Sequence, residues 1–289
     1  MLHLVDVKQK LLQSLCSSYS HLVDFTLDDC QFTSSVIINS PTLLCLNIVN
    51  YEVYIEKFIT IIASNLSSFE YSCNDGYGFL VHPINTKAHM LSKFSFRGSG
   101  FFEPVGFSGL KNVTTIVLDG LIENLSMYIL PYLFFECLQL EDVTFKNCLH
   151  IGSIEITSPK LRHLKIIDCG CGWADDSPSE IAIDALNLSS FEYSAQSTRI
   201  ISFTAPKLSK VFWSTALRKD ALHLFNPIAI FPHIENLSML INPLMVSHSN
   251  PMFASWCLLF VYRLPISDSG WPPKLRQRHS ALQHLLGFF

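Results

Sequence analysis

Charged residues are scarce in this chain. Asp, Glu, Lys and Arg make up 15% of its 289 residues, hydrophobic residues 49%, and the formal net charge is −4. So mild a balance argues against a nucleic-acid or an acidic partner. Long apolar runs are missing too. A membrane-spanning helix needs about 20 consecutive apolar residues, and the longest candidate, residues 252–262, stops at Arg263 and Pro265. No membrane partner is expected. The first 20 residues place Asp6, Lys8 and Lys10 where a secretory signal keeps its apolar segment, so no secretory route is expected. Nor do the nine cysteines make an even disulfide set. An odd count without a signal fits a reducing compartment, cytoplasmic or nuclear. A glycine-rich phosphate loop and a nucleophile elbow are both absent, Gly98-Ser99-Gly100 being only a short turn. No cofactor is expected, and catalysis would have to come from a Cys–His pair brought together only by folding.

What the sequence does contain is a repeat. The pattern apolar-x-x-apolar-x-apolar begins at Leu22, Leu43, Leu66, Leu91, Val113, Leu140, Leu161, Leu188, Leu208 and Ile234, at intervals of 20 to 27 residues. Leucine-rich repeats recur every 20–29 residues or thereabouts, roughly this range. A larger repetition lies over it. Leu22 to Ile48 aligns without a gap onto Leu140 to Ile166, 118 residues further on, with 11 of 27 positions identical. Cys30 matches Cys148, and Ser40-Pro41 matches Ser158-Pro159. The octapeptide from Asn65 to Ser72 recurs letter for letter from Asn187 to Ser194. The chain reads as two related blocks of five repeats.

One such strand cannot bury its apolar face alone, so neighbouring repeats must stack. The expected fold is α/β, an irregular leucine-rich-repeat solenoid. Its curved parallel sheet would line the concave side, with mixed short strands, helices and loops on the convex side. Residues 22–242 would form the solenoid, 1–21 an N-terminal flank or cap, and 243–289 a non-repeat tail. Cys30, Cys148 and Cys169 hold the place where leucine-rich repeats put Asn or Cys, and a small thiol tolerates burial there. Ile154-Glu155-Ile156 and Ile201-Ser202-Phe203 alternate ahead of Ser158-Pro159 and Ala205-Pro206, predicting short second strands ended by proline. Leu121, Leu125, Tyr128, Ile129 and Tyr132 fall at helical spacing, as do Ile55, Phe58, Ile59 and Ile62, predicting two helices. For the tail two readings stay open. Its Phe253, Trp256, Leu258 and Phe260 cap the last repeat, or an altered reading frame or retained intron produced it.

Side chains that alternate with the buried ones would face the concave surface. These are the candidate protein-binding residues: Asp24, Asp28, Glu70, Lys93, Arg97, Asp142, Lys146, His163, Lys165, Glu192, Lys210 and Phe212. Most solvated strand residues bind nothing, but the face as a whole has the right size. Ten strands about 4.8 Å apart span roughly 45 Å. With about three outward positions each they supply roughly 30 residues, close to one side of a standard interface. Phe212 is the expected anchor, because aromatics dominate binding energy. Cys169-Gly170-Cys171, with His163 nearby, comes closest to a metal motif. A structural zinc site wants a second ligand pair, none is present, and the repeat already explains Cys169. Asn65, Asn112, Asn124, Asn187 and Asn236 each open an Asn-x-Ser/Thr sequon, which repeat architecture explains better than glycosylation.

The stretch from Leu133 to Cys148, followed by Ile154-x-Ile156-x-Ser158-Pro159-x-Leu161-x-x-Leu164-x-Ile166, resembles the repeat region of plant F-box/leucine-rich-repeat proteins. The resemblance covers roughly residues 22 to 242. It implies a substrate-recognition arm. In that family an N-terminal F-box docks onto a Skp-type adaptor of a cullin ubiquitin ligase, and the repeats hold the substrate. Only 21 residues precede the first repeat here and the first Trp is Trp173, so adaptor and cullin binding is not expected. The expectation is a non-catalytic module holding an unidentified protein ligand. Alternatives are a fragment of a longer F-box adaptor, the sensing part of an immune-type receptor, and an enzyme with a Cys/His site.

Overall fold

The computed structural model describes residues 2–3, 9–19, 21–30, 35–51, 59–73, 81–82, 84–98, 101–102, 111–121, 130–148, 154–170, 179–195, 198–216 and 234–242. In chain order the elements are β1 (Leu2–His3), α1 (Gln9–Ser18), β2 (Asp24–Asp28), β3 (Val36–Asn39), β4 (Cys45–Tyr51), β5 (Ile59–Ile62), β6 (Ser68–Cys73), β7 (Val81–His82), β8 (Ile84–Thr86), β9 (Lys93–Arg97) and β10 (Phe101–Phe102). There follow β11 (Thr115–Asp119), α2 (Leu130–Glu136), β12 (Asp142–Lys146), β13 (Ile154–Thr157), β14 (His163–Cys169), β15 (Ser179–Asp184), β16 (Ser190–Ala195), β17 (Thr198–Thr204), β18 (Lys210–Ala216) and β19 (Asn236–Asn242). The tail 243–289, Cys171 and the Asn124 sequon lie outside the described residues.

Each of the ten repeats places a strand two residues after its leading apolar residue, as Asp24 follows Leu22 and Asn236 follows Ile234. Together with β1 they form an 11-stranded sheet in the order β1-β2-β4-β6-β9-β11-β12-β14-β16-β18-β19, every pair parallel. The period of two sends one face inward. Phe25 and Leu27, Phe69 and Tyr71, Phe94 and Phe96, Val143 and Phe145, and Phe191 and Tyr193 are buried, while the residue between the two members of each pair is not. The architecture is a parallel-strand solenoid with few helices.

A spine of backbone hydrogen bonds runs along the N-terminal ends of these strands. The carbonyl of Val23 accepts from the amides of Leu44 and Cys45 at 2.8 and 3.0 Å, and that of Leu44 accepts from Ser67 and Ser68. The same double bond recurs at Ser67, Ser92, Thr114, Glu141, Arg162, Ser189 and Ser209, ending on Glu235 and Asn236. Thr114 joins the two blocks by bonds of 2.8 and 2.9 Å to Glu141 and Asp142, so the block boundary leaves no seam in the spine.

Just past β2, β11 and β12, and at the end of β14, the chain turns through a left-handed residue. Asp29, Asn147 and Asp168 hold φ near 50°, and Gly120 holds 83°. Asp, Asn and Gly tolerate this region best. The turn aims an amide at the next repeat: Asn147 donates to Ile167 and Gly120 to Lys146. The thiols of Cys30, Cys148 and Cys169 then donate back to Asp28, Lys146 and Ile167 at 3.4, 3.2 and 3.2 Å, which gives these buried cysteines their structural place.

The return path uses two further three-stranded parallel sheets, β3-β5-β8 and β13-β15-β17. The strands expected around Ile154-Glu155-Ile156 and Ile201-Ser202-Phe203 are β13 and β17. The helix expected through Ile59 and Ile62 is corrected: these residues form β5, paired with β3 and β8. A β-branched Ile-Thr-Ile-Ile run fits a pleated strand better than a helix. Of the second expected helix, Leu121 is not helical, Leu125, Tyr128 and Ile129 lie outside the described residues, and Tyr132 lies in the described helix Leu130–Glu136. Pro131 sits in its first turn, where a missing amide costs nothing. Each helix opens a block at matching positions. Leu15 accepts from Tyr19 as Leu133 accepts from Cys137, and Leu22 bonds Tyr19 as Leu140 bonds Cys137. The duplication therefore extends upstream of the residues whose identity reveals it. Among the described residues no helix is long and apolar enough to cross a membrane.

Aromatic rings fill the core where the octapeptide repeats. Phe69 lies 5.7 Å from Phe94 and Tyr71 lies 5.6 Å from Phe96. In the second block Tyr193 lies 4.4 Å from Trp213, and Phe191 meets Phe203 edge-on at 5.3 Å. Such pairs each add about 0.5–1.5 kcal/mol beyond their buried area.

Candidate functional site

Parallel register arranges the outward side chains of the long sheet in three rows across the strands. The first row reads Asp24, Cys45, Ser68, Lys93, Thr115, Asp142, His163, Ser190, Lys210, Asn236. The second reads Thr26, Asn47, Glu70, Ser95, Val117, Thr144, Lys165, Glu192, Phe212, Ser238, by the same pairings. Asp28, Arg97, Asp119 and Lys146 belong to the third. All twelve candidate residues lie on this one face, on seven different strands.

Register also decides which of them meet. Lys165 bonds Glu192 at 2.8 Å, and His163 Nδ1 pairs with Asp142 Oδ1, whose other oxygen accepts from Thr115 at 3.4 Å. Arg97 Nε donates to Asp119 at 3.1 Å. Five of the candidates are thus paired with a side chain on a neighbouring strand, and ion pairs at a solvated surface contribute only about 0.2–1 kcal/mol each. The others, Asp24, Asp28, Glu70, Lys93, Lys146, Lys210 and Phe212, share the face without being drawn into one cluster. Phe212 stands outward, 38% exposed, beside Trp213, which is buried.

Asp119 is the residue sequence reasoning missed. It is an outward-row carboxylate yet only 7% exposed, held by Arg97 and by the side-chain amide of Asn147 at 2.8 Å. Its partners lie 22 and 28 residues away in sequence. Only the register relates them, although the Asp-Gly pair at 119–120 marks the turn that aims it.

Asp142, His163 and Ser190 stand side by side in the first row, the residue order of a nucleophile relay. Such a relay needs backbone amides aimed at a developing oxyanion. Here the amides of His163 and Ser190 are already bonded to Glu141 and Arg162 in the spine. The thiols are placed no better for chemistry. Burial, then the Glu136 carboxylate, pushes Cys137 up to about 12. The hydrogen bond to Cys148, then burial, holds the Cys169 thiol above its ordinary range. Cys169 faces the core while His163 faces solvent, so the two are not brought together.

The sequon asparagines serve the solenoid's edge. Asn65, Asn112 and Asn187 donate from Nδ2 to the carbonyls of Pro41, His89 and Pro159 at 2.8, 2.7 and 2.5 Å, each bridging to the preceding repeat. A recess of about 350 Å³ between α1 and β3 is lined by Gln13, Ser14, Ile37 and Asn39, none of them titratable. Comparison of the chain with family models, with curated proteins and with solved structures finds no match.

Proposed function

We propose that this chain is a non-catalytic protein-binding module, a leucine-rich-repeat solenoid of the F-box substrate-recognition kind. Its outward rows hold a protein ligand in the cytoplasm or nucleus. The observation that carries the reading is the row geometry. Ten adjacent parallel strands each present about three outward side chains, the scale of one side of a standard interface. Charges of both signs and one exposed aromatic are spread over that surface, the mixture from which interfaces draw polar contacts and an anchor.

Affinity capture tests it with three proteins: the parent chain, a variant carrying Lys93→Ala, Lys146→Ala, Lys210→Ala and Phe212→Ala, and a control with Glu155→Ala and Asp184→Ala on the other sheet. The control positions are exposed on β13 and β15. A partner kept by parent and control and lost by the row variant, with unchanged circular dichroism, is the expected result. Equal retention by the row variant would sink the reading.

A further inference from the structure

The strands β9, β11, β12, β14, β16 and β18 are each entered through a turn of two residues. In four of these turns a buried residue opens the turn and a buried leucine closes it. The pairs are Ala88 with Leu91, Cys137 with Leu140, Ala185 with Leu188 and Ala205 with Leu208, joined by hydrogen bonds of 3.0 to 3.3 Å. Both ends are thus tied to the core, and the two residues between them form the tip. The strands that follow are parallel and in register, so the tips share one edge of the long sheet, about 4.8 Å apart.

Along this edge the tips alternate in character. His89-Met90, Leu138-Gln139 and Leu186-Asn187 carry a large apolar side chain, with Met90 63%, Leu138 68% and Leu186 53% exposed. The turns that alternate with them, Lys111-Asn112, Pro159-Lys160 and Pro206-Lys207, each carry an exposed lysine. None of the tip residues is acidic; the nearby Glu136 and Asp184 stand two residues ahead of Leu138 and Leu186, outside the turns. Lys160 and Lys207 bond to the neutral side-chain oxygens of Gln139 and Asn187, and no described carboxylate pairs with any of the three lysines. These bonds, with those of Asn112 to His89 and Asn187 to Pro159, tie neighbouring tips together and fix their spacing. Exposed apolar side chains scattered singly need no explanation. Set at every second tip between cations, they fit a lipid surface, whose interfacial layer takes apolar side chains while anionic headgroups take lysines. We propose that this edge binds an anionic lipid bilayer surface. Met90, Leu138 and Leu186 enter the interfacial layer at steps of about 9.6 Å, and Lys111, Lys160 and Lys207 meet the headgroups. The contact leaves the outward rows of the long sheet uncovered.

Co-sedimentation with vesicles tests it, using phosphatidylcholine alone and equal parts of phosphatidylcholine and phosphatidylserine. Four proteins are compared, with circular dichroism as the check on folding. They are the parent, a charge variant (Lys111→Gln, Lys160→Gln, Lys207→Gln), an apolar variant (Met90→Gln, Leu138→Gln, Leu186→Gln) and a control (Lys93→Gln, Lys146→Gln, Lys210→Gln). The control removes as much charge as the charge variant, but from the outward rows, so it separates this edge from the charge of the whole chain. The parent is expected to bind the mixed vesicles well above the neutral ones. The charge variant should bind them on the order of a hundredfold more weakly, the loss of three lysines at a charged surface. The apolar variant should fall at least about tenfold, and the control should match the parent. A parent that binds neither vesicle, or both equally, overturns the proposal. So does a control that falls as far as the charge variant, or an apolar variant that binds like the parent.

Discussion

Replacing Asn147 separates two contributions that meet at one residue. Its backbone holds φ at 50°, and its side-chain amide donates to Asp119 at 2.8 Å. Asp119 is buried and paired with the Arg97 guanidinium, so losing that hydrogen bond costs about 1.5–3 kcal/mol. Arg97 still reaches the same carboxylate at 3.1 Å, which favours the low end. Alanine must in addition hold the left-handed conformation, at about 1–2 kcal/mol, whereas glycine adopts it freely. The expected losses are therefore about 1.5 kcal/mol for Asn147→Gly and about 2.5 kcal/mol or more for Asn147→Ala. Urea unfolding followed by circular dichroism measures both. If alanine proves no worse than glycine, the left-handed turn is not what fixes this residue. If both stay within about 0.5 kcal/mol of the parent, the bond to Asp119 is not holding the strands.

Further expectations concern the core and the thiols. Trp213→Ala removes the ring packed against Tyr193 and is expected to cost about 3–5 kcal/mol. Phe212→Ala, next to it but facing outward, should stay within about 0.5 kcal/mol in the same unfolding assay. Cys30, Cys73, Cys137, Cys148 and Cys169 are buried, so a disulfide reagent should modify them only on unfolding; one fast-reacting residue among them would revive a catalytic thiol. Cys137 keeps its proton up to about 12 in the fold, against an ordinary 9.0. Its folded value is the higher one, so its contribution to stability is complete below pH 9.0 and is lost as the pH rises toward about 12. The urea midpoint should fall over that window, and less steeply in Cys137→Ala.

The long sheet was legible because its repeat unit states both where a strand begins and which side it buries. Leu140-x-x-Val143-x-Phe145 fixes the phase of β12, and the nine other units fix theirs, so the order of strands follows from the order of repeats. The return path was legible only where an alternating run ends in proline, as before Pro159 and Pro206. Ile59–Ile62 defeated the reading because four apolar or β-branched residues satisfy helical spacing and strand alternation alike in so short a run. The outward face was half legible. Its residues follow from alternation, but Arg97 with Asp119 and Lys165 with Glu192 are cross-strand facts that need the register. β1, two residues long, leaves no pattern to read.

Whether the outward rows of the long sheet are a binding surface is best tested by a photo-crosslinking amino acid placed at single positions. Lys93, Lys146, Lys210 and Phe212 sample those rows, and Glu155, Asp184 and Ser202, exposed on β13, β15 and β17, sample the sheet across the core. One and the same protein captured from the row positions, and not from the other three, is the expected result. Equal capture from both sheets, or none from any of the rows, would contradict it.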